Sequence, residues 1–372
     1  MAAELSKNSY GHNPPVQAFD SPPKVLVRAF RCVCPEEGGA GAHTLHPIFS
    51  KDTKKGAVLV GAGANFFVNC TIKESVMRQF LTLLTLFLLL AGGAAARQRG
   101  YVAVDEGRLY YEISGKGSTP LIFVHGHSLD RRMWREQVRF FERHYRVIVY
   151  DARGYGRSSK QREDLRFTHC DDLVALMDAL HIEKAHVVGL SMGGFIAGDL
   201  VAMSPERLLS VVLAEGHTRS TPSVNEPMTL EERAAKQRSI DELKQKGLKQ
   251  YKREWMDVLM QGGSQVAKIR RPLWRMVRGW DGWQALNHET HCYYGREARR
   301  VTAQKRPTVP TLFISAHRPG KARPSASSLI EHFPNGRFEV IDDSGHMCNM
   351  EQPIDFNQKV KAFLDEINKF KM

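Results

Sequence analysis

From about residue 100 to the end of the chain, short apolar runs bounded by turn residues alternate with stretches of helical spacing. That alternation predicts the strands and helices of an α/β sheet. Residues 109–114 read as an edge strand. Leu121-Ile122-Phe123-Val124 is an unbroken apolar run, as expected of a central parallel strand buried on both faces. Residues 146–150, 185–188, 211–214, 311–315 and 337–341 read as further strands. Helical spacing covers residues 165–180, with Asp171 and Asp172 on the exposed side, and then residues 194–203. It also covers 230–259 and an amphipathic segment, 356–370, that closes the sheet.

The first hundred residues have another texture. Residues 1–76 carry no convincing element and are frequent in Pro and Gly, as at Pro14-Pro15, Pro22-Pro23 and Gly38-Gly39. Met77-Arg78-Gln79 then begins a basic segment, residues 80–91 are almost wholly apolar, and Ala94-x-Ala96 ends a run of small residues. A basic start, an apolar run of about a dozen residues and an A-x-A end describe a secretory signal peptide; a spanning helix needs ~20 apolar residues. The expected organisation is therefore residues 1–76 as a disordered or non-native upstream extension with Met77 as initiator, 77–96 as signal peptide, and 97–372 as the folded domain. The expected localisation is secreted or periplasmic. The competing reading is an internal signal anchor that leaves residues 1–76 on the cytoplasmic side. N-terminal sequencing of exported protein decides between them: a start near Arg97 supports cleavage.

Composition changes this picture little. A chain of 372 residues with 42% hydrophobic and 25% charged content can build a packed core. Six scattered cysteines do not make a disulfide scaffold, and Cys32-x-Cys34 has no second ligand pair, so no metal site is read. Gly61-Ala62-Gly63-Ala64-Asn65 lacks the third glycine and the later acid of a dinucleotide fingerprint. The net charge of +13 suits contact with anionic surfaces. No nucleic-acid-binding motif accompanies it, so no nucleic-acid partner is expected. Peripheral contact with an anionic membrane surface stays open, and oligomeric state is not legible.

The chemistry centres on Gly189-Leu190-Ser191-Met192-Gly193-Gly194, between a predicted strand and a predicted helix. This is the context of a G-x-S-x-G nucleophile elbow, in which a turn too tight for a Cβ projects the serine from the end of the sheet. The helix N-terminus beneath it offers free N–H groups to a developing oxyanion. A strand ending in His125-Gly126-His127 precedes the elbow, as does Asp151-Ala152-Arg153-Gly154-Tyr155-Gly156-Arg157-Ser158. Gly345-His346 followed by Glu351 and Pro353 comes after it. In this order these segments resemble the α/β-hydrolase superfamily over about residues 101–371, apart from one large insertion. The S-M-G-G elbow is similar to that of serine esterases, lactonases and C–C bond hydrolases. Dehalogenases and epoxide hydrolases carry Asp there.

The resemblance implies a mostly parallel central sheet flanked by helices, with a helical cap, about residues 217–305, inserted after the sixth strand. It implies Ser191 as nucleophile and His346 as general base. The backbone N–H groups of His127 and Met192 would form the oxyanion hole, and the Asp151–Ser158 segment would be structural. His125 and His127 are otherwise a pair of loop histidines shaping a turn. The acid departs from the usual pattern. Most members place an Asp in the loop after the strand at 311–315, where Pro319 stands here. Glu215, at the end of the strand at 211–214, is assigned instead; Asp343 is the runner-up and more simply braces the histidine loop. Trp134, on a predicted helix, and Met347, beside the histidine, are expected to contact substrate.

Four of the five tryptophans, at 255, 274, 280 and 283, lie in the insertion and suggest an apolar wall; individually each is as well explained by packing of the cap. Cations outnumber acids there roughly two to one, mostly as a solvated face. The expected activity is hydrolysis of a small-molecule carboxylic ester or lactone through an acyl-enzyme, with no metal or organic cofactor. The alternatives are C–C bond hydrolysis of a diketone by the same residues, and a non-catalytic ligand-binding member of the fold.

Overall fold

The structure is a computed structural model and describes residues 97–162, 165–217, 228–287, 294–325 and 330–369. The expected signal segment, the Gly61–Asn65 stretch and Cys32, Cys34, Cys70 and Cys292 lie outside the described residues. Among those described, Cys170 and Cys348 are buried and unbridged. Among the described residues, no helix is long and apolar enough to cross a membrane.

Eight strands form one sheet in the order β1-β2-β4-β3-β5-β6-β7-β8. They are β1 (Gln98–Val104), β2 (Gly107–Ser114), β3 (Pro120–Val124), β4 (Arg146–Tyr150), β5 (Ala185–Leu190), β6 (Leu208–Ala214), β7 (Thr311–His317) and β8 (Gly336–Asp342). β1 and β2 form an antiparallel hairpin, β2 pairs antiparallel with β4, and the pairings from β4 through β8 are parallel. The segment predicted as the edge is thus the second strand. The true edge, β1, opens on exposed Gln98 and Arg99 and leaves Tyr101 47% exposed; its inward face is only Val102, with Val104 partly buried, too short a stripe to mark it in the sequence. β3 shows why a central strand reads as a continuous apolar run: Leu121 and Phe123 face one core, Ile122 and Val124 the other.

The helices are α1 (Arg135–Phe141), preceded by a 3₁₀ turn at Arg131–Trp134, then α2 (His169–Ala179) and α3 (Met192–Met203). Between β6 and β7 the described residues hold α4 (Leu230–Lys246), α5 (Leu248–Leu259), α6 (Val266–Gly279), the single turn α7 (Trp283–Leu286) and α8 (Arg296–Lys305). The chain ends on the short α9 (Cys348–Glu351) and on α10 (Pro353–Lys369). The helical run predicted over 230–259 is two helices, because Gly247 at φ 76° leaves the helical region. The helix predicted from 165 starts at His169, where the Thr168 side chain accepts the Asp171 N–H at 2.9 Å and caps it.

One sequence expectation fails on that helix. Asp172 does not face solvent: it is 4% exposed and holds the buried Arg153 guanidinium in a fork, at 2.9 and 2.7 Å. Burial pushes the Asp172 carboxyl up, against the opposing pull of Arg153. Arg153 also donates to the Asp105 carbonyl. The Asp151 carboxylate receives the Arg131 and Arg157 backbone N–H groups and the Arg131 guanidinium. The segment thus ties β1, β4 and α2 to the loop beside the elbow, the structural role the resemblance implied.

Candidate active site

The elbow sits at the C-terminal end of β5. Ser191 has φ 57° and ψ −117°, a conformation that is costly for any residue bearing a Cβ. Its surroundings hold it there. The Ser191 N–H donates to the Ala214 carbonyl at 2.8 Å, and its own carbonyl accepts from the Phe195 N–H at 3.0 Å. The flanking glycines are required by close approach: a Cβ on Gly189 would lie 2.0 Å from the Gly193 carbonyl oxygen, and one on Gly193 2.0 Å from that of Val124. Met192 is the first residue of α3, so its N–H belongs to the set with no intrahelical acceptor.

Ala214, which anchors Ser191, is followed directly by Glu215. That residue also has a positive φ, 51°. Its backbone N–H donates to Ile314, and its carboxylate spans two partners. Oε1 accepts the Ala316 N–H at 2.6 Å, and Oε2 lies 3.3 Å from His346 Nδ1. A carboxylate at Nδ1 selects the tautomer protonated there and leaves Nε2 as the acceptor. The C-terminal end of β7, just before the loop where the usual Asp is missing, therefore supplies a backbone donor that orients the Glu215 carboxylate. Asp343 does not take this place. Its Oδ1 accepts the Ser264 N–H at 2.8 Å, its Oδ2 meets the Ser264 hydroxyl, and its carbonyl accepts from Gln352. These bonds to Ser264 hold its carboxyl below the usual range.

His125 is wholly buried. Its Nε2 accepts the Ala152 N–H at 2.9 Å and its Nδ1 pairs with the Gly126 carbonyl at 2.8 Å, while burial pushes its pKa down. Those bonds shape the turn. His127 contacts the Tyr155 hydroxyl through Nδ1 at 2.9 Å, and its ring meets Trp280 edge-on at 4.8 Å and Trp255 at 5.9 Å. Trp255 Nε1 donates to the Ser128 hydroxyl at 2.7 Å. Two cap tryptophans are thus seated on the loop that carries His127. The Lys252 ammonium holds the carbonyls of Arg278 and Trp280 and fixes that wall from behind.

Two expected substrate contacts belong to the core instead. Trp134 is wholly buried, with ring centroids 5.0 Å from Phe123 and 6.0 Å from Phe356. Met347 is wholly buried in the same cluster. Both sit next to polar turn residues in the chain, and adjacency in sequence did not report which way the side chain turns.

Glu351 carries a role the sequence did not disclose. Its Oε1 accepts the Gly345 N–H at 3.0 Å and its Oε2 the Gly263 N–H at 2.8 Å, one from the histidine loop and one from the α5–α6 turn of the cap. Burial raises its pKa against those two bonds. A Cβ on Gly263 would lie 1.9 Å from the Asp343 carbonyl oxygen, and one on Gly345 2.1 Å from that of Gln261. The Gly262-Gly263 pair in the cap was the available signal.

Compared with known proteins, residues 119–353 match the family model of the alpha/beta hydrolase fold. The chain belongs to that family, and it is a hydrolase with esterase- and lactonase-like relatives. It is 28% identical over 267 residues to 3-oxoadipate enol-lactonase 2 of Acinetobacter baylyi, covering 70% of this chain and 94% of that protein. It is 26% identical over 271 residues to RutD of Azorhizobium caulinodans, whose name ascribes carbamate hydrolysis to it provisionally, covering 72% and 99%. Among solved structures, a thermophilic esterase from Thermogutta terrifontis shares the fold with a TM-score of 0.57 at 24% identity, over 73% of this chain and 99% of that one.

Proposed function

We propose that the protein hydrolyses a small carboxylic ester or lactone through an acyl-enzyme on Ser191. The observation that supports the reading is the Glu215 carboxylate on His346 Nδ1, with Glu215 directly following the Ala214 carbonyl that anchors the strained Ser191. In this mechanism His346 Nε2 takes the Ser191 proton as Oγ attacks the carbonyl carbon, and Glu215 stabilises the imidazolium that forms. The oxyanion is received by the Met192 and His127 N–H groups, each such donor being worth about 3 kcal/mol in the transition state. His346 then protonates the leaving oxygen. Water, deprotonated by the same nitrogen, attacks the acyl carbon and frees Ser191. The enol-lactonase and esterase names of the relatives support this substrate class, and a carbamate would present the same carbonyl.

A panel of short-chain p-nitrophenyl esters and lactones tests the reading. Turnover that disappears in Ser191→Ala, with the thermal midpoint retained, is the expected result. An absence of turnover in the unaltered protein, with ligand binding unchanged in Ser191→Ala, would make it a non-catalytic binding member of the fold.

A further inference from the structure

Helix α6 runs VAKIRRPLWRMVRG and holds five cations and no acid in 14 residues. Ile269, Leu273, Met276 and Val277 are its buried face. Lys268, Arg270, Arg271, Arg275 and Arg278 are all exposed, and among the described residues none of the five has an ion pair. Other exposed cations without an ion pair, such as Arg143, Lys184 and Arg238, are scattered, and several more are neutralised locally, as in Lys246–Glu254, Arg296–Glu232 and Arg337–Glu366; α6 gathers five on one helix. A row of five uncompensated charges is self-repelling and gains energy only against an external anion.

The two grooves beside α6 indicate which anion. On one side Arg135 and Arg275 line a groove with Val138 and Met276; its one carboxylate, Glu112, is taken by Arg131. On the other Arg253, Arg270 and Arg271 surround Trp274 and Met256, with Asp257 as the single carboxylate. Cations side by side with apolar side chains match a phospholipid, whose phosphate adjoins acyl chains; a sulfated sugar has no use for the apolar lining, and no nucleic-acid-binding motif accompanies it. Neither groove includes Ser191, Glu215 or His346. The last turn of α6 leads into Trp280, which lies against His127.

We propose that the outer face of α6 docks the protein on an anionic phospholipid surface, with the cap toward the lipid. This inference does not rest on the hydrolytic reading, since binding is measured without turnover.

The test is flotation of the full chain with phosphatidylcholine vesicles and with vesicles containing phosphatidylserine, over a range of salt. Binding to the anionic vesicles alone, weakening as salt rises, is expected. Each basic side chain near such a surface contributes about fivefold, so Arg270→Gln/Arg271→Gln/Arg275→Gln lowers the affinity roughly a hundredfold. The variant changes only exposed side chains, and an unaltered melting curve and unaltered rate on a soluble ester establish that it is folded. Equal binding to neutral and anionic vesicles, or undiminished binding by the variant, overturns the proposal. Tighter retention by heparin than by anionic vesicles at the same salt overturns it as well, in favour of a soluble polyanion.

Discussion

Glu215→Gln is the substitution that tests the proposed acid most directly. The amide keeps the shape of the side chain but has one acceptor oxygen where the carboxylate had two, and both are in use, on Ala316 N–H and on His346 Nδ1. Whichever donor keeps the oxygen, the other faces an NH₂ group. The imidazolium of the transition state also loses a counter-charge at 3.3 Å. At an effective dielectric constant of ~20, that pair is worth about 5 kcal/mol. The His346 side chain is 36% exposed and Glu215 21%, so solvent screens part of it. The discounted loss is about 3–4 kcal/mol, a fall in kcat of about two to three decades. The fall should appear in kcat with KM little changed, because the charge exists only on the reaction path. Stopped-flow or steady-state hydrolysis of a p-nitrophenyl ester, beside a melting curve, measures it. Asp343→Asn is the control, expected to lose less than tenfold. If Glu215→Gln retains near-normal kcat while Asp343→Asn does not, the assignment of the acid is wrong and the reasoning from the two hydrogen bonds fails with it.

Asp172→Asn leaves the buried Arg153 charge without its counter-ion and should cost about 3–5 kcal/mol of stability in urea unfolding, a loss far larger than for a surface pair. Stability should also fall with acid through two buried histidines. Burial holds His169 at about 3, so it stays neutral when folded while its unfolded counterpart gains a proton below about 6.5; burial also pushes His125 down and acts in the same direction. The unfolded chain then binds more protons. Unfolding free energy should decline as pH drops from about 6.5 toward 3, by up to ~1.4 kcal/mol per pH unit from His169, with His125 adding to the fall. A His169→Phe variant with an unchanged slope would remove that residue from the account. Trp255→Phe deletes the bond to Ser128 and should raise KM several-fold, with kcat changed less; an unchanged KM would detach the cap from substrate binding.

Much of the architecture was legible because burial on both faces leaves an unbroken apolar run, as in β3, and because a turn without room for Cβ atoms demands glycines, as at 189 and 193. The site was legible where a motif fixes a backbone geometry: Ser191 on its elbow, the histidine on its loop. Glu215 could be selected from strand order after Pro319 removed the usual candidate, although its second partner, Ala316 N–H, leaves no trace in residue identity. What was missed lies on the other side of that limit. β1 turns only Val102 and part of Val104 inward, Asp172 is polar and inside because Arg153 is inside with it, and Trp134 and Met347 turn into the core for packing reasons that chain neighbours do not encode.

The Glu351 carboxylate ties two parts of the molecule into one mechanical piece. Gly263 in the roof and Gly345 in the histidine loop hang from its two oxygens, with backbones touching on either side. Lifting the roof at that corner would therefore pull on the imidazole's own support. The far corner is held differently, by the aromatic rings around His127, the Trp255–Ser128 hydrogen bond and the exposed Lys160–Asp281 ion pair. At the corner by Glu351 the cap turn and the His346 loop are thus braced by one carboxylate and would shift together.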